Sequence, residues 1–332
     1  MDLLGVGLGT MVALLWGGGD VLATLAARRM NTFKTTFISQ LTSLLILLIF
    51  GVIAFWRWNN LFTPRAILFS ALIGIFTGLC AALGYFALYR SLEIGPIAIV
   101  GPLTATSPIF TLVLSAFVLH EHLTLERKEL ALLGILGIIV ASTSPAKLRM
   151  LLKKARLSLW GPGMWWTIVA ALAFGALDFG IGTSASISNW FLPALWTRFF
   201  SIFFLLLISW GKRSQWLPRP QASGLSVSDK ETQELPIPTF EYATHMLRIR
   251  HHLAKNGPGT FLALSVGIME SAAVLFFSID TRIATTGITS AIASSYALVI
   301  MIFGMIVYHE RLTKNQLLGI GIFMVSLFLL AL

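Results

Sequence analysis

The sequence predicts an all-α membrane protein of ten transmembrane helices, arranged as two inverted five-helix repeats. Three observations carry that reading. Of the 332 residues, 56% are hydrophobic and 11% charged, whereas a soluble domain carries about 25% charged residues. The apolar runs are long enough for membrane helices, which need roughly 20 residues each. Motifs of the first half return, in order, in the second.

The spans follow from apolar runs punctuated by charge, proline or glycine. Span 1 covers 3–24 and ends at Arg28-Arg29; the start Met1-Asp2 has no basic stretch, so it reads as a retained helix, not a cleaved leader. Span 2 covers 35–55 and ends at Trp56-Arg57-Trp58, an aromatic-basic pair suited to the headgroup layer. Spans 3, 4 and 5 cover 67–89, 96–119 and 129–144. Spans 6 and 7 cover 162–187 and 190–210, and spans 8, 9 and 10 cover 258–279, 285–308 and 315–332. Residues 211–257 differ: they are polar, with Pro218, Pro220, Pro236 and Pro238 and acids at Asp229, Glu231 and Glu234. With no apolar period, they read as an exposed loop. The chain thus divides into 1–145, a basic connection over 146–160, and 161–332 carrying the insertion at 211–257.

Self-similarity supports the division. His120-Glu121-His122-Leu123-Thr124 returns as His309-Glu310-Arg311-Leu312-Thr313, 189 residues on. Residues 13–20, ending Trp16-Gly17-Gly18-Gly19-Asp20, align with 171–178, ending Phe174-Gly175-Ala176-Leu177-Asp178, at an offset of 158. The same offset sets Gln40 on Arg198. One insertion in the 7–8 connection accounts for the difference of 31 between the offsets. Five spans per half is an odd number, so the second half enters the membrane from the opposite side. Such inverted repeats are typical of secondary transporters, with the site near the midplane where the halves meet.

The net charge of +10 is read as anchoring, since Lys and Arg sit at span ends and are not gathered on a soluble face. Nucleic acid is therefore not an expected partner; the bilayer and a small-molecule substrate are. Cys80 is the only cysteine, which excludes a disulfide within the chain. No phosphate-binding loop is present, and His120-Glu121-His122 lacks the i, i+4 histidine pair of a zinc helix. No cofactor, metal or enzymatic activity is expected. Thr313 and Gln316 have the spacing of a capping box opening span 10.

The repeated His-Glu-x-Leu-Thr, each followed by Leu-Leu-Gly (132–134 and 317–319), resembles the EamA-type drug/metabolite transporters. So do Leu92-Glu93-Ile94-Gly95-Pro96, Ser107-Pro108 and Thr197-Arg198-Phe199. The resemblance covers nearly the whole chain outside 211–257. It implies export or exchange of small organic metabolites, amino-acid-like or related, by a multi-pass protein of a bacterial-type inner membrane. The chain departs from the family pattern at Gln40, where an arginine is frequent, and in span 9, which has no proline matching Pro108. Orientation is divided. Connections 1–2, 3–4, 5–6, 7–8 and 9–10 hold 18 Lys and Arg and the alternate ones 5, which makes the first set cytoplasmic and the termini external. The resemblance implies cytoplasmic termini.

Ionisable groups inside a span are costly and mark functional positions. Asp20, Asp178, Arg198 and Glu270 meet this description. The two acids, at matching positions, suit a proton or a substrate amine, and a proton gradient is the expected energy source. Arg198 suits a substrate carboxylate or a structural partnership with Asp178 or Glu270. Thr104, Ser107 and Pro108 in span 4, and Ser294 and Tyr296 in span 9, are expected to line a cavity, with Pro108 kinking its helix. Gln40 and Trp16 complete the candidate set. Two other readings remain open here: a flippase for a lipid-linked sugar or small lipid, using the basic patch Lys147 to Arg156, and a scaffold acting through 211–257.

Overall fold

The computed structural model describes residues 3–95, 97–118, 129–130, 133–134, 136–137, 140, 163–210, 259–283, 289, 292–309 and 312–331. The loop 211–257, the basic connection 146–160, the motif 120–124, Glu310-Arg311 and most of span 5 lie outside them. The described residues are helical throughout, without strands.

The first half contributes α1 (Leu3–Arg29), α2 (Thr32–Arg57), α3 (Pro64–Ile94), α4 (Ile97–Thr104) and α5 (Ser107–Val118). The second contributes α6 (Met164–Ile187), α7 (Leu192–Trp210), α8 (Gly259–Ile283), α9 (Tyr296–Val307) and α10 (Lys314–Ala331). Among the described residues six helices, α1, α2, α3, α6, α7 and α8, are long and apolar enough to cross a membrane. Their outward faces carry exposed Ile49, Val52, Leu68, Phe203 and Ile268, a pattern that water would penalise and acyl chains accept.

Side chains cap several helix starts. Asn31 caps α2 by accepting from Lys34 N at 2.8 Å, and Thr63 caps α3. The capping box at the head of α10 forms: Thr313 N donates to Gln316 Oε1 at 2.8 Å and Gln316 N to Thr313 Oγ1 at 3.4 Å.

Side contacts sort the connections onto two faces. On one, Arg28 donates to Leu92 O and Gly95 O and stacks 4.3 Å from the Tyr308 ring. Gly163, at φ 85, sits against Ser91 and Gly95 of that face, and Gly259 against Met30. On the other, Asn189 Nδ2 donates to Leu61 O at 2.8 Å and Trp58 meets Trp190. Successive connections therefore alternate, as spanning helices require.

Two expectations for single spans change. Span 4 is divided at Ala105-Thr106 into α4 and α5, and span 9 has the same interruption at Ser294-Ser295. Around each, backbone bonds shift to three-residue spacing, with Thr106 N on Leu103 O and Ala297 N on Ser294 O. Pro108 has no N–H to offer Thr104 O, so its kink appears just before it. Ala297, in the equivalent place, shows that the second interruption forms without proline.

Close packing rests on glycine at two crossings. A Cβ on Gly78 of α3 would stand 2.4 Å from Phe200 Cβ of α7; one on Gly267 of α8 would stand 2.5 Å from Ser39 O of α2. Gly267→Val should therefore lower the thermal midpoint in detergent, at a cost of about 1–3 kcal/mol typical of overpacking. Gly321→Ala in α10, where a Cβ meets nothing within 4 Å, should leave it unchanged or raise it by up to ~1 kcal/mol.

Candidate functional site

Two adjoining features occupy the middle of the bundle. The first is an ionic cluster. Arg198 of α7 is 1% exposed and Glu270 of α8 is 2% exposed, with Nη2 and Oε2 3.2 Å apart. Gln40 of α2 serves both: its Oε1 accepts from Arg198 Nη1, and its Nε2 donates to Glu270 Oε2 at 3.0 Å. Ser201 adds a bond to the same Gln40 oxygen at 3.3 Å. From α3, Tyr89 donates its hydroxyl to Glu270 Oε1, and Tyr85 accepts from Arg198 Nη2 at 3.1 Å. The guanidinium also lies 4.8 Å from the Tyr85 ring centre. A buried charge is tolerated when paired and hydrogen-bonded, and here the pair has four neutral helpers, Gln40, Ser201, Tyr85 and Tyr89, from three helices.

The second feature is a cavity beside it, sharing Tyr85 as a wall. It is lined by Trp16 and Asp20 of α1, Tyr85 and Leu88 of α3, Ser107 of α5, Phe174, Leu177 and Asp178 of α6, and Ser294 and Tyr296 at the head of α9. Trp16 is edge-on to Tyr296, with ring centres 6.3 Å apart, and Tyr85 to Phe174 at 5.0 Å. Asp20 is 6% exposed and Asp178 5%. The open space is about 40 Å³, room for a few water molecules. Trp16 Nε1 is buried with no acceptor. Both helix interruptions border the cavity, through Ser107 and Ser294.

Of the residues expected from the sequence, Trp16, Asp20, Ser107, Asp178, Ser294 and Tyr296 come together at this cavity. Gln40, Arg198 and Glu270 come together in the ionic cluster. Thr104 is buried with its hydroxyl turned back to Val100 O at 2.9 Å, and neither it nor Pro108 lines the cavity; each helps shape the interruption. Arg198 has Glu270 as its charge partner, one of the partnerships the sequence allowed. Tyr85 and Tyr89 were missed. Their signal was tyrosine at i, i+4 in the second half of span 3, which places both on one face of the helix. Asp280 was missed as well, since span 8 stops at 279 in the sequence reading, whereas α8 runs to Ile283 and buries Asp280 completely.

A model of the EamA-like transporter family matches residues 3–143 and 243–332. The chain belongs to the EamA-like transporter family. Members of this family are multi-pass integral membrane proteins, and the six long apolar helices fit that. The chain is 24% identical over 175 residues to an S-adenosylmethionine uptake transporter of Rickettsia bellii, covering 53% of this chain and 54% of that one. It is 25% identical over 159 residues to the transporter of that name in Rickettsia prowazekii, covering 48% of each. The chain thus spans about half the length of these curated relatives. An uncharacterized protein of Methanocaldococcus jannaschii is 31% identical over 137 residues, 41% of this chain and 95% of its own length. A solved crystal structure superposes with a TM-score of 0.61 at 13% identity, covering 99% of this EamA-like chain and 96% of its own; at that identity the likeness is one of fold.

The cluster predicts an asymmetric response to substitution. Glu270→Gln leaves a buried guanidinium without its anion and should cost about 3–5 kcal/mol of stability. Replacing both partners, Arg198→Met with Glu270→Met, should recover a large part of that loss. Chemical unfolding in mixed micelles reads both.

Proposed function

We propose that this EamA-like chain is a secondary transporter of a small organic metabolite with an amino-acid-like or other cationic group. The observation that carries the reading is the pairing of Asp20 and Asp178 around one aromatic cavity. These acids stand 158 residues apart in the chain and line the same space. Trp16, Tyr85, Phe174 and Tyr296 line the same space, and a positively charged centre is drawn to aromatic rings and to carboxylates alike. The relatives named as S-adenosylmethionine transporters carry a cargo with a sulfonium and an α-ammonium group, which fits this chemistry.

The two-repeat, inverted reading draws support from spacing. The helix interruptions lie 189 residues apart, as do Gly78 and Gly267 at their crossings. Gln40 and Arg198, 158 apart, touch one another, as partners on a pseudo-two-fold axis would. The ten-helix count adds span 5 to the helices described. A cavity of about 40 Å³ is too small for a metabolite, so the conformation is contracted around the site. The two interruptions are the places for bending, because a short 3₁₀ stretch inside a helix marks a hinge. Opening on one side and then the other would expose the acids in turn.

Purified protein in liposomes tests this. Labelled S-adenosylmethionine and a panel of labelled amino acids should show uptake or counterflow above protein-free vesicles for at least one solute. Asp178→Asn should reduce the rate by about tenfold or more, the scale of losing a buried charge contact, with folded yield unchanged. Absence of movement for every solute under imposed gradients would overturn the proposal. Full activity in both Asp20→Asn and Asp178→Asn would remove the acids from it.

A further inference from the structure

Three helices that wall the cavity end together at one membrane face, and a single side chain joins them. Arg28 stands in the last turn of α1 and is 5% exposed. Its Nε donates to Leu92 O at 3.1 Å and its Nη2 to Gly95 O at 3.2 Å, both at the C-terminal end of α3. The same guanidinium lies 4.3 Å from the ring centre of Tyr308, the residue that ends α9. Leu92 follows the cavity residue Leu88 by one turn, and both Leu92 and Tyr308 are buried. At 1.5 Å per residue, Arg28 stands about 12 Å along α1 from Asp20, on the side of the cavity that looks toward this face.

The chemistry suits a contact that opens and closes. The last turn of a helix has carbonyls with no N–H partner inside the helix and carries a partial negative charge. Three such ends side by side repel one another, and a guanidinium among them relieves the repulsion. An arginine fits where a lysine would not, because its planar group can lie on a ring while its edge donates to two oxygens. The partners just named are carbonyl oxygens and a ring, all neutral, and water replaces neutral hydrogen-bond partners at small net cost. Separating Arg198 from Glu270 would instead leave two charges buried and uncompensated. The central cluster is therefore a fixed tie, and the Arg28 junction is a releasable one.

The opposite face is built differently. The offset of 158 that sets Asp20 on Asp178 sets Arg28 on Ser186. Ser186 is exposed, and its hydroxyl turns back to Thr183 O of its own helix at 2.9 Å. The offset of 189 sets Tyr308 on Leu119, which has no ring. That face is packed by Phe50, Trp58, Phe62, Trp190 and Phe191, with neighbouring ring centres 5.7 to 6.1 Å apart.

We infer that Arg28 and Tyr308 form a latch that holds the cavity shut on the face where α1, α3 and α9 end. The two faces are then closed by unlike means, polar on this one and aromatic on the other. The inference rests on the alternating exposure proposed above. Because α9 follows the interruption at Ser294-Ser295, release of Tyr308 frees its end to swing away from α1 and α3.

Spin labels and thiol chemistry test the latch in the full-length protein in lipid nanodiscs, with Cys80→Ser as background. Labels at Lys34→Cys on α2 and Val307→Cys on α9 report the width of this face by dipolar electron spin resonance. Separately, Ser107→Cys reports entry into the cavity through its rate of reaction with a quaternary-ammonium methanethiosulfonate. Arg28→Gln should add a longer-distance population and raise the labelling rate by roughly fivefold, the scale of one lost hydrogen bond. Tyr308→Leu should do the same, whereas Tyr308→Phe, which keeps the ring, should not. Ser186→Ala, at the opposite face, should change neither reading. If Arg28→Gln does not fold, the two Tyr308 variants still decide. Distances and rates unchanged in Arg28→Gln and Tyr308→Leu overturn the latch. So does a lowered thermal midpoint with both readings unmoved, which would leave Arg28 a helix cap alone. Neither reading requires a transported solute, so failure of the latch and failure of the transport proposal are told apart.

Discussion

The contact between Arg198 and Glu270 constrains the whole bundle. Each charge is buried where neither can be hydrated, so each requires the other. That requirement ties α7 to α8, and the neutral groups around the pair extend the tie to α2 and α3. Gln40 is the hinge of this arrangement. A primary amide offers a donor atom and a separate acceptor atom at one tip, and Gln40 uses both, one toward each charge. An arginine at position 40, which the family resemblance would suggest, would set two guanidinium groups around a single carboxylate. The departure at Gln40 is thus matched to Glu270, whose position 189 residues earlier holds the small apolar Ala81.

Around that cluster, approach distance decides the architecture. Within lipid, helices gain little from burying apolar surface against one another, so close contact and internal hydrogen bonds must hold them. Gly78 and Gly267 bring α3 and α8 to the backbones of α7 and α2. Thr77 and Thr197 then share a hydroxyl contact of 2.7 Å, and Ser271 reaches Ser43 at 3.1 Å. Small residues leave space elsewhere for large ones, and the aromatic walls of the cavity fill it. The cavity forms where two helices are interrupted, because an interrupted helix cannot present a continuous ridge to its neighbours.

Much of this was legible beforehand. Apolar length gave the six long helices, and polar residues inside apolar runs gave nine positions of the cavity and cluster. Hydropathy sums over a window, so it could not show that spans 4 and 9 are interrupted; the interruption depends on single backbone bonds. The choice of Glu270 over Asp178 as the partner of Arg198 was not legible, since α7 and α8 are separated by the long insertion and only folding brings residues 198 and 270 together. Tyr85 and Tyr89 were not distinguished from the other aromatic residues of the apolar runs. Asp280 was lost to a boundary, because a span ended one residue too early turns a buried acid into a connection residue.

The acids also divide by their surroundings, and that division bears on how the molecule works. Glu270 is held by Arg198, Gln40 and Tyr89, so its charge is balanced inside the protein and its role is to hold helices in place. Asp20 and Asp178 line a space, where a solute can reach them. Arg198 is already matched by Glu270, so the ionisable groups that line the cavity itself are the two acids. In the transport reading proposed above, a solute that brings positive charge to them would be held and one that brings negative charge excluded. Because Tyr85 touches both the cavity and Arg198, a solute that displaces its ring also disturbs the guanidinium. Under that reading, occupancy of the site would be felt by the pair that ties four helices together, which is the coupling that the proposed alternating exposure needs.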